Sequence, residues 1–98
     1  MGIIDGLNKV FESRVRLGIM STLMVNDSID YNTLKELLDI TDGNLASHIK
    51  ALEKAEFITV EKKFVGKKPK TTYMATKLGK VSFKSHITNL EKILKANK

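Results

Sequence analysis

Apolar residues in the first quarter of the chain recur at the three- and four-residue spacing of a helix. The pattern predicts a short amphipathic N-terminal helix over about residues 1–12. Ser13 is suited to cap a second helix that runs to about Val25 and has apolar residues on most of its faces, as expected of a central buried helix. The residues that carry the first pattern are Ile3, Ile4, Leu7, Val10 and Phe11.

Two further short helices are predicted after this central one. Ile29-Asp30-Tyr31 favours a very short strand, and Asn32 is a plausible cap for a helix of about two turns. The helical pattern breaks at Thr41-Asp42-Gly43, where Thr41 or Asp42 can cap a third helix over residues 42–55. The inward stripes are Leu34, Leu37 and Leu38 on the first of the pair and Leu45, Ile49 and Leu52 on the second. A short helix, a tight turn and a second helix are the sequence form of a helix-turn-helix.

A β-hairpin and a long helix complete the chain. The β-favouring runs Phe57–Val65 and Thr71–Ala75 flank a basic loop, Gly66–Lys70, which is too charged to be buried. Thr76 then caps a last helix over residues 77–96. The fold class is therefore α+β in one domain, residues 1–98: a winged helix-turn-helix, with a three-helix core and a two- to three-stranded β-wing over residues 13–76, plus terminal helices for dimerisation.

The last helix carries one long apolar stripe, which has two interpretations. Such a stripe either closes the core of its own domain or pairs with a second copy. We favour a homodimer, because a small winged domain needs a second copy to read two half-sites and a terminal helix is free to pair. We expect the N-terminal residues Ile3, Ile4 and Leu7 to pack beside this last helix. The predicted dimer residues are Phe83, Ile87, Leu90 and Leu94.

The composition narrows the possible chemistry. The chain has no cysteine, which excludes disulfides and thiolate sites and suits a reducing, cytoplasmic compartment. Leu17–Asn26 is the longest uncharged stretch near the start and is too short to span a membrane, so we predict no membrane partner.

The two histidines lie far apart, and we expect His86 to be solvated or at the dimer interface. No nucleophile, acid/base pair or metal-ligand cluster appears, so neither an enzyme nor a cofactor is predicted.

Positive charge is concentrated in one part of the sequence. The net charge of the chain is +6, whereas residues 1–49 carry seven acidic against four basic side chains. Residues 50–80 carry nine lysines against three glutamates. A local basic excess that follows a helix-turn-helix favours nucleic acid as the partner.

The exposed side of the third helix has the residue types that read DNA. On a helical wheel Gly43, Ser47, Lys50 and Lys54 lie opposite the apolar stripe, with Asn44 to one side. Small residues allow a close approach, Asn can pair with both N6 and N7 of adenine, and Lys can reach guanine or phosphate. His48 lies beside the stripe, where it either packs against the second helix or contacts DNA. The predicted recognition-helix contacts with double-stranded DNA are Asn44, Ser47, His48, Lys50 and Lys54.

The hairpin supplies a second set of DNA contacts. Five lysines fall within nine residues and suit phosphates or a narrow minor groove: Lys62, Lys63, Lys67, Lys68 and Lys70. The alternative is a solvated loop that only keeps the protein soluble. Winged helices also serve as protein-docking modules without sequence-specific DNA binding, and an exposed apolar face on the third helix would favour that function.

Three segments together resemble winged-helix transcriptional regulators of the MarR/ArsR type, most closely the short single-domain MarR-like branch. They are Arg16–Met20 with Leu23, Asp42–Glu53 and Thr71–Gly79. The resemblance implies a homodimeric regulator with residues 42–55 as its recognition helix. Where such proteins place Gly after that helix, this chain has Ala55-Glu56-Phe57-Ile58, so either Glu56 adopts a strained conformation or the helix ends differently. The chain is shorter than the MarR proteins that hold a ligand pocket, and a small-molecule effector stays an open question.

Overall fold

The computed structural model describes residues 2 and 4–96 of the chain. Polar side chains cap the first turns of its helices. Ser13, Asp30 and Thr41 each accept a hydrogen bond from the backbone N–H three residues later. Asp30, not the predicted Asn32, therefore caps the second helix. The elements are a 3-10 helix at Lys9–Phe11, α1 Arg14–Val25, β1 Ile29–Asp30, α2 Tyr31–Leu38, α3 Asp42–Lys54, β2 Ile58–Val65, β3 Lys68–Ala75 and α4 Lys77–Ala96.

The prediction of an N-terminal helix over residues 1–12 is wrong. The described part of this segment forms a turn at residues 4–6 and the single 3-10 helix. Gly2 and Gly6 weaken a helix here, and the Asn8 side chain accepts from the N–H of Val10, which favours a turn over a helix interior. Ile3 lies outside the described residues. The segment still reaches the core, because Phe11 at its end is completely buried.

The core lies between α1, the helix pair and the sheet. Ile19, Met20 and Leu23 of α1 are 0–1% exposed and pack with the inward residues of α2 and α3. An aromatic group closes the side next to α4. The Phe11 ring stacks on Phe57 at 5.1 Å and meets Phe83 edge-on at 5.3 Å between ring centroids.

The sheet is antiparallel with the strand order β1-β3-β2. The register pairs Ile58 with Ala75 at one end of the hairpin and Val65 with Lys68 at the other. Only Gly66 and Lys67 lie between the strands, so the predicted five-residue loop is wrong and Lys68–Lys70 belong to β3. Gly66 has a φ of 66°, a conformation that glycine adopts without strain and that two-residue hairpins require.

The base of α4 is locked to the end of α3. The Thr76 hydroxyl donates to the carbonyl of Glu56 at 2.7 Å and accepts from the N–H of Gly79 at 2.9 Å, which confirms Thr76 as the cap. The N–H of Thr76 donates to the carbonyl of Phe57 at 2.9 Å. A Cβ on Gly79 would lie 2.1 Å from that same carbonyl oxygen. Only glycine fits where α4 passes the start of β2.

Two predictions for α4 need correction. Phe83, a predicted dimer residue, is 7% exposed and belongs to the core of its own chain. His86, expected to be solvated or at an interface, is 3% exposed, and its Nδ1 accepts from the N–H of Asn8 at 3.0 Å. The helical wheel could not place them because the partner on this face is the N-terminal segment, almost 80 residues away in sequence.

Candidate nucleic-acid interface

α3 presents a small, polar surface to solvent. Leu45, Ile49 and Leu52 are 0–4% exposed and anchor the opposite side. Among the predicted contacts, His48 is half-buried and the others are exposed: Asn44, Ser47, Lys50 and Lys54. A Cβ on Gly43 would meet nothing within 4 Å, so the helix start is open to a ligand. No large apolar side chain of α3 is exposed.

The first turn of α3 is tied to α2. The Tyr31 hydroxyl donates to the backbone and carboxylate oxygens of Asp42 at 3.2 Å each, and Lys35 forms a 3.1 Å ion pair with the same carboxylate. The hydrogen bond from Lys35 lowers the pKa of Asp42. Burial, and then the Asp42 hydrogen bond, raise the pKa of Tyr31. These contacts orient α3 relative to α2. Because Lys35 is already paired with Asp42, it is less available to a phosphate.

His48 is held by Arg16 of α1, a residue that the sequence did not suggest for the site. Arg16 Nη1 lies 3.0 Å from His48 Nδ1, and the Arg16 Nε–H donates to the carbonyl of Val10. Because a guanidinium only donates, Nδ1 must accept, which places the proton of the neutral ring on Nε2. Burial and the Arg16 charge lower the pKa of His48. His48 therefore links α3 to α1 and the N-terminal segment.

Arg14 is a second residue that the sequence analysis missed. It is exposed and lines a shallow depression that also includes Asn44 and Thr41 at the start of α3. Its charge lies beside the positive end of the α3 dipole, and Asp39 and Asp42 line the same depression, where Lys35 pairs with Asp42. Only tertiary contact brings Arg14 beside residues of α3 that are about 30 positions away in sequence.

The five hairpin lysines are all exposed, and the strand register divides them between the two faces. Lys63 and Lys70 are cross-strand neighbours, and Lys68 projects from the same face, whereas Lys62 projects from the other. Lys63 pairs with Glu61 at 2.9 Å. Thr33 hydrogen bonds chiefly, and the charge of Lys70 to a smaller degree, lower the pKa of Asp30. In the part of the chain that the structure describes, no salt bridge involves Lys62, Lys67 or Lys68, so their charges are the most available.

Other kinds of site are not seen among residues 2 and 4–96. No group of three His, Asp or Glu side chains there is placed to hold a metal ion. No helix in the same residues is long and apolar enough to cross a membrane.

A polar helix after a tight turn, followed by a basic β-hairpin, defines the winged-helix class of DNA-binding domains. Residues 15–94 match the family model described as "Winged helix DNA-binding domain", and the chain belongs to this family. It is 37% identical over 87 residues to the uncharacterized protein MJ0432 of Methanocaldococcus jannaschii, covering 89% of this chain and 95% of that protein.

Two solved structures share the fold. One, described as that of a transcriptional regulator homologue from Pyrococcus horikoshii, superposes with a TM-score of 0.86 at 27% identity, over 98% of this chain and 93% of the other. The YusO protein of Bacillus subtilis superposes with a TM-score of 0.81, over 97% of this chain and 67% of its own. At 13% identity, YusO shows the likeness of fold alone.

Proposed function

We propose that this protein is a transcriptional regulator of the MarR/ArsR type that binds double-stranded DNA in a sequence-specific manner. The observation that carries the proposal is the exposed polar face of α3, on which Asn44 and Ser47 occupy the first two turns. Recognition helices enter the major groove by their N-terminal half, where side chains of these types meet base edges. The Pyrococcus horikoshii structure, described as a transcriptional regulator homologue, supports the regulatory role.

The wing lysines add affinity without choosing a sequence. Lys62, Lys67 and Lys68 are exposed and suited to phosphate oxygens on either side of the groove that α3 enters. Arg14 and Lys50 extend the same positive surface. The protein acts by binding, not by catalysis, in the cytoplasm, the compartment that its cysteine-free sequence suits.

The regulator works as a homodimer through the outer half of α4. Leu94 is 70% exposed, and Ile87 and Leu90 remain half-buried in the single chain. The N-terminal segment runs antiparallel to this half, since the N–H of Asn8 donates to His86 Nδ1 and Asn89 Nδ2 donates to the carbonyl of Gly6 at 2.8 Å. Ile4, two residues before Gly6, is 65% exposed. Pairing these apolar groups across a twofold axis removes them from water and presents two α3 helices to two half-sites.

A protein-docking module is the competing function, and the surface of α3 argues against it. A docking helix exposes large apolar anchors, whereas the outward residues of α3 are Gly43, Ala46 and polar or charged side chains.

A competition titration of specific against scrambled duplexes tests the proposal, after selection of a preferred site from genomic fragments. Asn44→Ala should weaken the preferred site by about 1–3 kcal/mol and leave the scrambled duplex nearly unchanged. Lys68→Ala should weaken both alike and reduce the slope of log affinity against log salt by about 0.9. Equal losses on both duplexes for a folded Asn44→Ala protein would move sequence reading away from α3. Binding that ignores salt would exclude DNA binding of this kind altogether.

A further inference from the structure

The tip of the hairpin exposes an aromatic ring that the fold does not use. Phe64 is 77% exposed, whereas the other three phenylalanines are 0–7% exposed in the core. Val65, next to it, is 61% exposed. This ring gains no burial from folding, and a ligand that covers it would gain the hydrophobic free energy that the fold leaves unused.

The hairpin carries this ring well away from the body of the domain. β1 pairs with β3 only at Thr72 and Tyr73, so four residue pairs beyond this point form a two-stranded ribbon: Lys62 with Thr71, Lys63 with Lys70, Phe64 with Pro69, and Val65 with Lys68. At about 3.4 Å per residue the four pairs project by roughly 14 Å. The two-residue turn keeps its end narrow.

The register also fixes which way the ring faces. Side chains two residues apart on a strand share a face, so Phe64 lies on the face of the buried residues Ile58 and Tyr73, against which the helices pack. Pro69, its cross-strand neighbour, supports the ring on that face and has no N–H to leave unpaired. The apolar pair therefore projects on the helical side of the sheet, the side that carries α3.

The charge around the ring identifies the ligand. Lys62, Lys63, Lys67, Lys68 and Lys70 all lie within six residues of Phe64, and all are exposed. Lys62 shares the face of the ring, Lys63, Lys68 and Lys70 project from the opposite face, and Lys67 lies in the turn, so ammonium groups flank the apolar tip on both faces of the ribbon. This suits a polyanion that has an apolar interior, and stacked bases inside a phosphate backbone have this arrangement. Continuity with the proposed α3 surface favours duplex DNA over an anionic membrane or a protein.

We propose that Phe64, supported by Pro69, is an apolar wedge that enters the minor groove beside the base pairs read by α3, partly unstacks one base step and bends the duplex. The inference rests on the proposed function and extends it from base reading to DNA deformation. Lysines on the ribbon hold the two phosphate backbones while the ring enters between them. The protein should then prefer sites that have an easily unstacked base step, such as TA or CA, under the ring, because unstacking such a step costs less free energy. This preference arises without a hydrogen bond to the bases.

The experiment measures bending and unstacking separately from affinity. The selected duplex carries a fluorophore pair at its ends for energy transfer and, in a second set, 2-aminopurine at successive positions under the wing. Wild-type protein should shorten the end-to-end distance and raise 2-aminopurine emission at one step. Phe64→Ala should abolish both signals and weaken binding about tenfold, the scale of one lost base–aromatic contact, with an unchanged salt slope. Phe64→Leu, which retains a wedge-forming side chain, should keep most of the bend.

Two variants of the same ribbon serve as controls. Val65→Ala removes an exposed apolar group from the opposite face and should leave bend and emission as in wild type. Lys68→Ala should flatten the salt slope and keep the bend. Because Phe64, Val65 and Lys68 are all exposed, the three alanine variants should have the circular dichroism spectrum and melting temperature of wild type.

Four results would overturn the wedge. A duplex that wild type binds but neither bends nor unstacks excludes the wedge and leaves the proposed function intact. Equal bending by wild type and Phe64→Ala would likewise exclude the wedge and leave the proposed function intact. Binding of vesicles that contain anionic lipid, lost in Phe64→Ala while the DNA signals are absent, would assign the tip to a membrane. If no duplex is bound at all, the proposed function and the wedge fall together.

Discussion

Glu56 occupies a backbone conformation that L-residues rarely adopt. Its φ is 63°, and it follows the last turn of α3. The N–H of Phe57 donates to the carbonyl of Leu52 at 3.0 Å, and that of Glu56 donates to the carbonyl of Glu53 at 2.9 Å. These two bonds make a Schellman motif, which requires a left-handed residue at this position. Of the two alternatives drawn from Ala55-Glu56-Phe57-Ile58, the first is confirmed: the residue is strained and the helix ends in the usual way.

Glu56→Gly should raise the free energy of unfolding by about 1 kcal/mol, because glycine adopts the left-handed conformation without the Cβ penalty. Urea denaturation followed by circular dichroism measures the change. The matched control is Glu53→Gly, an exposed position inside α3, which should lower stability by about 1 kcal/mol. A Glu56→Gly protein that is less stable than wild type would show that the glutamate side chain contributes more than its backbone strain costs.

His48 should make stability depend on pH near neutrality. Burial and the Arg16 charge lower its pKa below the ordinary value of 6.5, so the unfolded chain takes up the proton first as the pH falls. The stabilisation is fully present above about pH 6.5 and is lost as the pH falls through the lower pKa of the folded state. Melting temperatures at pH 7.5 and pH 5.5 measure this loss. His48→Gln, which keeps an acceptor for Arg16 but does not titrate, should reduce the difference between the two temperatures. An undiminished difference in the variant would assign the pH dependence to other groups.

At the scale of elements, the junction of α3, β2 and α4 orients the wing. The backbone of Phe57 lies against Gly79, and Thr76 bonds to both sides of the contact. The wing therefore starts at a fixed angle from the end of α3. The segment Thr71–Gly79, which carried part of the family resemblance, contains Thr76 and Gly79, whereas Phe57 lies before it in the sequence.

Gly79→Ala should lower the free energy of unfolding by about 3 kcal/mol, the upper part of the usual range for overpacking, because the atom that the new Cβ meets is backbone and cannot rotate away. Chemical denaturation measures the loss. Gly43→Ala is the matched control: it adds the same methyl group to a helix where nothing lies within 4 Å, and it should be neutral or stabilising by up to about 1 kcal/mol. Equal effects of the two substitutions would contradict the close contact at Gly79.

At the scale of the whole molecule, the protein is elongated. Its radius of gyration is 14.9 Å and its principal extents are 55 × 26 × 22 Å. A compact chain of this length has a radius of about 12.6 Å. Projection of the hairpin and the 20 residues of α4 account for the difference. Both projections carry exposed apolar side chains, Phe64 on one and Leu94 on the other.

Leu94→Asp should convert a dimer to a monomer, because a carboxylate in an apolar contact loses its hydration without gaining a partner. Sedimentation velocity over a range of concentrations measures the change. Val25→Asp is the control, since Val25 is a similarly exposed apolar residue (81%) at the end of α1, outside the proposed interface, and its substitution should leave the mass unchanged. A monomeric wild type, or a variant as dimeric as wild type, would contradict the proposed interface.

The local pattern was sufficient for the helix-turn-helix. For α3 the cap Thr41, the inward residues Leu45, Ile49 and Leu52 and the exposed face followed from spacing alone. For α2 the spacing was less accurate: Asp30 and not Asn32 is the cap, and Leu37, predicted on the apolar face with Leu34 and Leu38, is 62% exposed because this helix is covered on one side only. The hairpin was also predicted from its local pattern, but its turn was placed wrongly. The lysines around Pro69 suggested a loop, whereas in the structure Lys68–Lys70 pair with β2 and only Gly66 and Lys67 form the turn.

Contacts between distant segments decided the rest. Phe83 and His86 turn inward because Phe11 and Asn8 lie against them, and Arg16 reaches His48 across 32 positions of sequence. The helical wheel could not supply these partners, since it shows which side of a helix is apolar but not what covers it. The sequence determined which side chains of α3 and the hairpin are polar or charged and lie away from the apolar stripe; the tertiary structure decided which of them are already engaged within the chain, because burial and pairing belong to the assembled elements.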